Sequence, residues 1–145
     1  MERRIGDIEY EQMMLSRYTI AHHRSARGMD RSVYLLLSGI SIHGPMSIGE
    51  LSEMLHLDAS TLQRQTGAAM RAGFLERKPD PEGGLARKFV LTPEGEQRLV
   101  AVRDRSVDAL GKILGDWSDD DVDRFAELLH RFNASIEDYR ADPRD

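Results

Sequence analysis

The chain has 145 residues, 40% of them apolar and 31% charged, with a net charge of −5 and no cysteine. That length suits one compact protomer, and the missing cysteines exclude a disulfide framework, a thiolate metal site and a thiol redox switch. No apolar run reaches the roughly 18 residues of a membrane helix, and Met1-Glu2-Arg3-Arg4-Ile5-Gly6-Asp7 has no apolar stretch behind its arginines, so no membrane span or signal peptide is expected and the expected location is cytoplasmic.

Helices are expected at both ends, around a short mixed segment. Ile5, Ile8, Leu15, Tyr18 and His22 share one helical face, and Arg27-Gly28 breaks that pattern. Val33, Leu36, Leu37 and Ile40 follow at i, i+3, i+4, i+7, and His43-Gly44-Pro45 ends this second helix. Ser47-Ile48-Gly49-Glu50 matches the capping box, in which hydroxyl and carboxylate each satisfy a free backbone N–H. Ile48, Leu51, Met54 and Leu55 face inward from the short helix it opens. His56-Leu57 makes a turn, and Asp58 caps the fourth helix. That helix buries Leu62, Thr66, Ala69 and Met70 and stops at Gly73. Gly67 within it costs about 1 kcal/mol relative to alanine, which suggests close approach to a neighbouring backbone.

Phe74–Lys78 and Arg87–Leu91 read as two strands around an exposed tip, Pro79-Asp80-Pro81-Glu82-Gly83-Gly84. Thr92-Pro93 opens the fifth helix with an N-cap and a proline at N1, and Leu99, Val102, Leu110 and Ile113 supply its apolar side. In Ser118-Asp119-Asp120-Asp121 the serine caps the last helix, and Trp117 is placed to staple onto Val122. Val122, Phe125, Leu128, Leu129, Phe132, Ile136 and Tyr139 then recur at spacings of three and four.

A capped short helix, a turn, a second helix and a basic hairpin follow one another in the order of a winged helix-turn-helix. On the outward face of the fourth helix Ser60, Arg64, Gly67 and Arg71 lie at i, i+4, i+7, i+11, flanked by Thr61 and Gln63. Arginine grips guanine bidentately, glutamine does so with adenine, and serine and threonine serve bases or phosphates. No acid lies between Asp58 and Glu76, although an ordinary solvated helix would also carry such a face. Arg77 and Lys78 enter the hairpin, and Arg87 and Lys88 leave it, so basic groups gather at its base. Asp80 and Glu82 at the tip suit an ordinary surface hairpin equally well. The overall negative charge does not oppose DNA binding: from Asp116 to Asp145 ten acids face four arginines, a net −6, and the preceding 115 residues carry +1.

The order and spacing of these segments resemble the MarR family of bacterial regulators. The matching residues are Gly49-Glu50-Leu51, Ser60-Thr61-Leu62-Gln63-Arg64, Ala72-Gly73-Phe74-Leu75-Glu76-Arg77 and Leu91-Thr92-Pro93-Glu94-Gly95. The family often has Asp-Arg where this chain has Gly67-Ala68, and an Asp-x-Arg or Asp-Arg-Arg pattern near Gly83-Gly84-Leu85. Both are missing here, so wing contact falls to Arg87 or Lys88.

The resemblance implies a mainly α fold with a small β wing, in which residues 29–92 form the DNA-binding winged helix-turn-helix and residues 1–28 and 93–145 form the dimerisation helices. The surplus of apolar residues in the terminal helices, with Trp117, Phe125, Phe132 and Tyr139 among them, points the same way, to a homodimer. The implied function is a transcriptional regulator, a ligand-responsive repressor on a pseudo-palindromic operator. Its DNA contacts would come from Ser60, Thr61, Gln63, Arg64, Arg71, Arg87 and Lys88. The alternative is an interaction module of the same fold that has lost specific DNA binding. A small aromatic or phenolic effector is implied between dimer helices and motif, with Tyr18, His22 and Tyr34 as lining residues, though ordinary packing explains each of the three as well. His22-His23 point about 100° apart on a helix and His43, His56 and His130 are scattered, so no metal or other cofactor is expected. No catalytic triad order, P-loop or dinucleotide fingerprint is present, and no enzyme is expected.

Overall fold

The computed structural model describes the backbone of residues 2–25 and 29–142, and the side chains of residues 2–18 and 29–142. Six helices and a hairpin follow in order: α1 Ile5–Ser25, α2 Arg31–His43, α3 Ile48–Leu55, α4 Ala59–Arg71, β1 Leu75–Pro79, β2 Arg87–Leu91, α5 Pro93–Ile113 and α6 Asp119–Ala141. The expected break at Arg27-Gly28 lies outside the described residues. No helix among the described residues is long and apolar enough to cross a membrane.

The chain forms two compact units, Met1–Asp104 and Arg105–Asp145. The first holds the core. Leu36, Leu37 and Ile40 of α2 meet Leu51 of α3, Leu62 and Ala69 of α4, Phe74, Leu75 and Phe89 of the hairpin, and Leu99 and Val102 of α5. Each fully buried leucine or phenylalanine contributes roughly 1.5–3 kcal/mol relative to exposure. Thr66 is the buried polar residue of α4; its hydroxyl donates to the carbonyl of Leu62 at 2.8 Å, which removes the cost of burying it.

Local signals set the ends of the elements. Asp30 caps α2 by accepting from Val33 N–H, Asp58 caps α4 through Thr61 N–H, and Ser118 caps α6 through Asp121 N–H. Helix α4 ends in a Schellman arrangement: Gly73 N–H donates to Met70 O and Phe74 N–H to Ala69 O, with Gly73 at φ 86°. Phe74 is consumed by that motif, so β1 starts one residue later than the sequence reading placed it. It also runs on through Pro79, an edge position that needs no N–H.

β1 and β2 pair antiparallel, with Arg77 opposite Phe89 and Lys78 opposite Lys88. Met46 adds a bridge to Phe89, Phe89 N–H donating to Met46 O at 2.8 Å, which ties the hairpin to the segment before α3. In the second unit Trp117 lies edge-on to Phe125 with ring centroids 5.6 Å apart, a favourable aromatic geometry. No residue of α6 is buried.

Candidate nucleic-acid interface

Helix α4 begins at Asp58, whose carboxylate accepts from Thr61 N–H at 2.7 Å and from the Ser60 hydroxyl at 2.9 Å. Those bonds, the Thr61 N–H first, hold its carboxyl below the usual range, and the nearby Arg64 guanidinium adds to the effect. Ser60, Gln63, Arg64 and Arg71 are exposed; Thr61 and Gly67 are half-buried. The outward stripe expected from the sequence is therefore present as a single helix face. It is not free of acid, because the cap itself stands at its N-terminal end. Arg64 also approaches the Thr61 hydroxyl at 3.5 Å, a loose contact that leaves the guanidinium available.

The expectation for Gly67 does not hold. A Cβ built there meets only the guanidinium of Arg71, at 3.4 Å, and no neighbouring backbone. The residue sits on the outward face, and among the described residues no neighbouring backbone approaches it.

Helix α3 is capped by Ser47, whose hydroxyl accepts from Glu50 N–H at 3.2 Å. The carboxylate of Glu50 turns back to Ser47, as the capping box requires, and after Lys88 the Ser47 backbone N–H is among the groups that hold it below its usual range. Glu50 Oε1 also takes the Ser47 hydroxyl at 3.1 Å and the Lys88 ammonium at 3.0 Å. Lys88 was expected to reach DNA, but its side chain is only 18% exposed, and Asp80 Oδ2 lies 3.7 Å away on its other side. Arg87, by contrast, is exposed at the end of β2. Arg77 lies over the Phe89 ring, 5.1 Å from its centroid, and Lys78 pairs loosely with Glu76 at 3.6 Å. The hairpin tip carries Leu85, fully exposed.

Of the residues expected to line an effector site, Tyr34 is half-buried against the core and Tyr18 stands partly exposed on α1. His22 lies outside the described side chains. Sequence reasoning missed a cleft of about 350 Å³ lined by Arg31, Ser32, Leu35, Leu55, Leu57 and Gln65. The Oε1 of Gln65 is buried, with no hydrogen-bond partner among the described residues. Nothing local marks that group, because the cleft draws on three separate helices and the turn after α3. Among the described residues no three acids or histidines are grouped as a metal site.

A short capped helix, a left-handed turn at His56 (φ 53°), a second capped helix with a polar outward face, and a hairpin tied to both define a winged helix-turn-helix. A sequence model of the MarR family matches residues 27–84. The uncharacterised HTH-type transcriptional regulator YxaD of Bacillus subtilis is 34% identical over 134 residues, covering 90% of this chain and 94% of that one. A MarR family protein from Bacillus stearothermophilus superposes with a TM-score of 0.82 at 19% identity, covering 94% of this chain and 98% of that one. Wild-type apo MarR from E. coli does so with a TM-score of 0.70 at 18% identity, covering 91% and 98%. The chain belongs to the MarR family of transcriptional regulators.

Proposed function

We propose that the protein regulates transcription as a homodimer that binds operator DNA through α4. The observation that carries this reading is the exposed face of Ser60, Gln63, Arg64 and Arg71 on a helix whose opposite side is locked into the core by Leu62, Thr66 and Ala69. A rigid helix with donors on its outward face is what major-groove readout needs. Arg87 adds a phosphate contact from the wing.

The homodimer is supported by the apolar side chains that a single chain leaves exposed on α1 and, separately, on α6. In α6 these are Phe125, Leu128, Leu129, Phe132 and Tyr139. Two-fold symmetry would offer two copies of α4 to successive major grooves, about 34–36 Å apart. A repressor role responsive to a small aromatic or phenolic effector belongs to the same reading. The 350 Å³ cleft, lined by Leu35, Leu55 and Leu57 among others, is of ligand size.

Selection of protected fragments from genomic DNA tests the reading. The expected result is a short duplex with two inverted half-sites about one helical turn apart, bound far more tightly than its scrambled counterpart. Equal binding to every duplex, at every salt concentration, would favour an interaction module that keeps the fold without reading DNA.

A further inference from the structure

The wing carries one lysine that is folded inward rather than offered to solvent. Lys88 stands on β2 directly opposite Lys78, an arrangement in which two ammonium groups would repel if both stayed on the sheet surface. Lys88 turns away, placing Nζ 3.0 Å from Glu50 Oε1 on α3 and 3.7 Å from Asp80 Oδ2 at the hairpin tip. The three side chains are 18%, 46% and 13% exposed, so the cluster is partly withdrawn from water, where charge-assisted bonds are least screened.

The surroundings are built around this contact. Asp80 is held by accepting Glu82 N–H at 2.9 Å, and Gly84 leaves the room it needs, since a Cβ there would come 2.5 Å from Asp80 Oδ2. Glu50 is held by the Ser47 hydroxyl. One residue along from Lys88, Phe89 makes the backbone bridge to Met46. The wing is thus tied to the helix-turn-helix at two adjacent points, one through backbone and one through charge.

From this we infer that Lys88 is a positioning residue: a strut joining the wing tip, through Asp80, to the N-terminal turn of α3, through Glu50, and not a phosphate ligand. The one ammonium is shared by two carboxylates and so has no charge to spare for a phosphate. Arg87 is left as the exposed cation of β2. The inference about DNA contact rests on the proposed function; the strut itself does not.

Amide hydrogen exchange on the full-length protein without DNA tests the strut. Lys88→Met and Glu50→Gln should each raise exchange at the Phe89 and Glu82 amides roughly two- to fivefold, as expected for a partly exposed ion pair. The double variant should exchange no faster than the worse single one, and Lys88→Arg should stay near wild type. Wild-type exchange in both single variants, or effects that add independently, would overturn the strut. Fluorescence anisotropy on the selected duplex over a series of salt concentrations tests the rest. Lys88→Met should weaken binding with the salt slope unchanged, whereas Arg87→Ala should lower the slope by about one. A slope lowered by about one in Lys88→Met would make Lys88 a phosphate ligand and defeat the inference. If the wild-type protein binds no duplex, the proposed function fails, and the exchange data still decide the strut.

Discussion

The Thr92 hydroxyl donates to the Gly73 carbonyl at 2.6 Å, joining residues 19 positions apart, and the same oxygen accepts from Gly95 N–H at 3.0 Å. One side chain therefore caps α5 and fastens it to the end of α4, while Thr92 N–H donates to Phe74 O at 3.0 Å. Thr92→Val keeps the shape and removes both hydroxyl bonds. A lost N-cap costs about 0.5–2 kcal/mol and a lost part-buried hydrogen bond about 0.5–1.5 kcal/mol, so a loss of roughly 1–3 kcal/mol is expected. Urea unfolding should show a lower midpoint at an unchanged slope; an unchanged midpoint would mean that neither bond contributes.

Gly95 sits in the first turn of α5, directly against Phe74, the residue before β1. A Cβ there would collide with the Phe74 carbonyl, a backbone atom that cannot swing aside. Gly95→Ala should cost at least the roughly 1–3 kcal/mol typical of overpacking, against its small gain in helix propensity. Gly67→Ala, on the outward face, should instead stabilise the protein by up to about 1 kcal/mol. Thermal melts of the two variants should move in opposite directions, and a shift of the same sign in both would contradict this account.

The part of the fold legible in the sequence was the part governed by short spacings. Ser47, Asp58, Thr92 and Ser118 announce helix starts because a cap acts over three residues, and the apolar period of α2 to α4 reports which face each helix buries. Asp30 is an equally good cap, but the apolar period of α2 begins only at Val33, three residues further on, and so does not point to it. What stayed hidden was long-range. Glu50 and Lys88 are 38 positions apart, and either alone reads as an ordinary surface charge. The stripe on α4 was found by counting, but counting inside the helix left out Asp58, which stands just before it.

Acid should weaken the protein through three carboxyls held below their usual range. Asp30 is lowered first by Val33 N–H and then by the Ser32 hydroxyl, Asp58 by Thr61 N–H, and Glu50 by Lys88. A carboxyl with a depressed folded-state value contributes stability that is complete above its unfolded value and disappears as the pH falls through its folded one. The unfolded values are near 3.8 for the aspartates and 4.5 for Glu50, so these contributions should be intact at neutral pH and be lost progressively below about pH 4.5. Lys88, raised chiefly by Glu50, contributes in the opposite sense and is lost only as the pH climbs through its elevated value above 10.5. Asp30→Asn and Asp58→Asn keep a capping oxygen while abolishing titration. Melting temperature against pH should therefore show a shallower acid limb in both variants, and parallel limbs would remove these groups from the explanation.

Arg64 tests the reading face. In free protein its guanidinium is exposed, with only loose contacts to Thr61 and Asp58, so Arg64→Ala should leave stability nearly unchanged. If it pairs with a base, the same change should cost roughly 1–3 kcal/mol of binding to the selected duplex and relax preference at one position per half-site. Equal weakening on scrambled DNA would demote Arg64 to a phosphate contact.

The α6 stripe tests assembly. Phe125, Leu128, Leu129 and Phe132 recur at spacings of three and four, and each stays 39–54% exposed in the single chain. Isolated exposed apolar residues are common, but a contiguous stripe on a 23-residue helix with no buried residue marks a surface made to be covered. A second copy would cover it without any other partner, and a standard interface needs about 800 Å² from each protomer. Leu128→Glu with Phe132→Glu should place two carboxylates from each chain in that interface, opposite their symmetry mates if the stripe pairs with itself. The buried charges and their repulsion should convert a dimer into a monomer at micromolar concentration, as read by sedimentation velocity. Leu128→Ala should give an intermediate dissociation constant, which guards against a result caused by unfolding, and the circular dichroism of both variants should keep its helical signal. Wild-type protein sedimenting as a monomer, or a fully dimeric Glu/Glu variant, would show that α6 is not the surface that joins two copies.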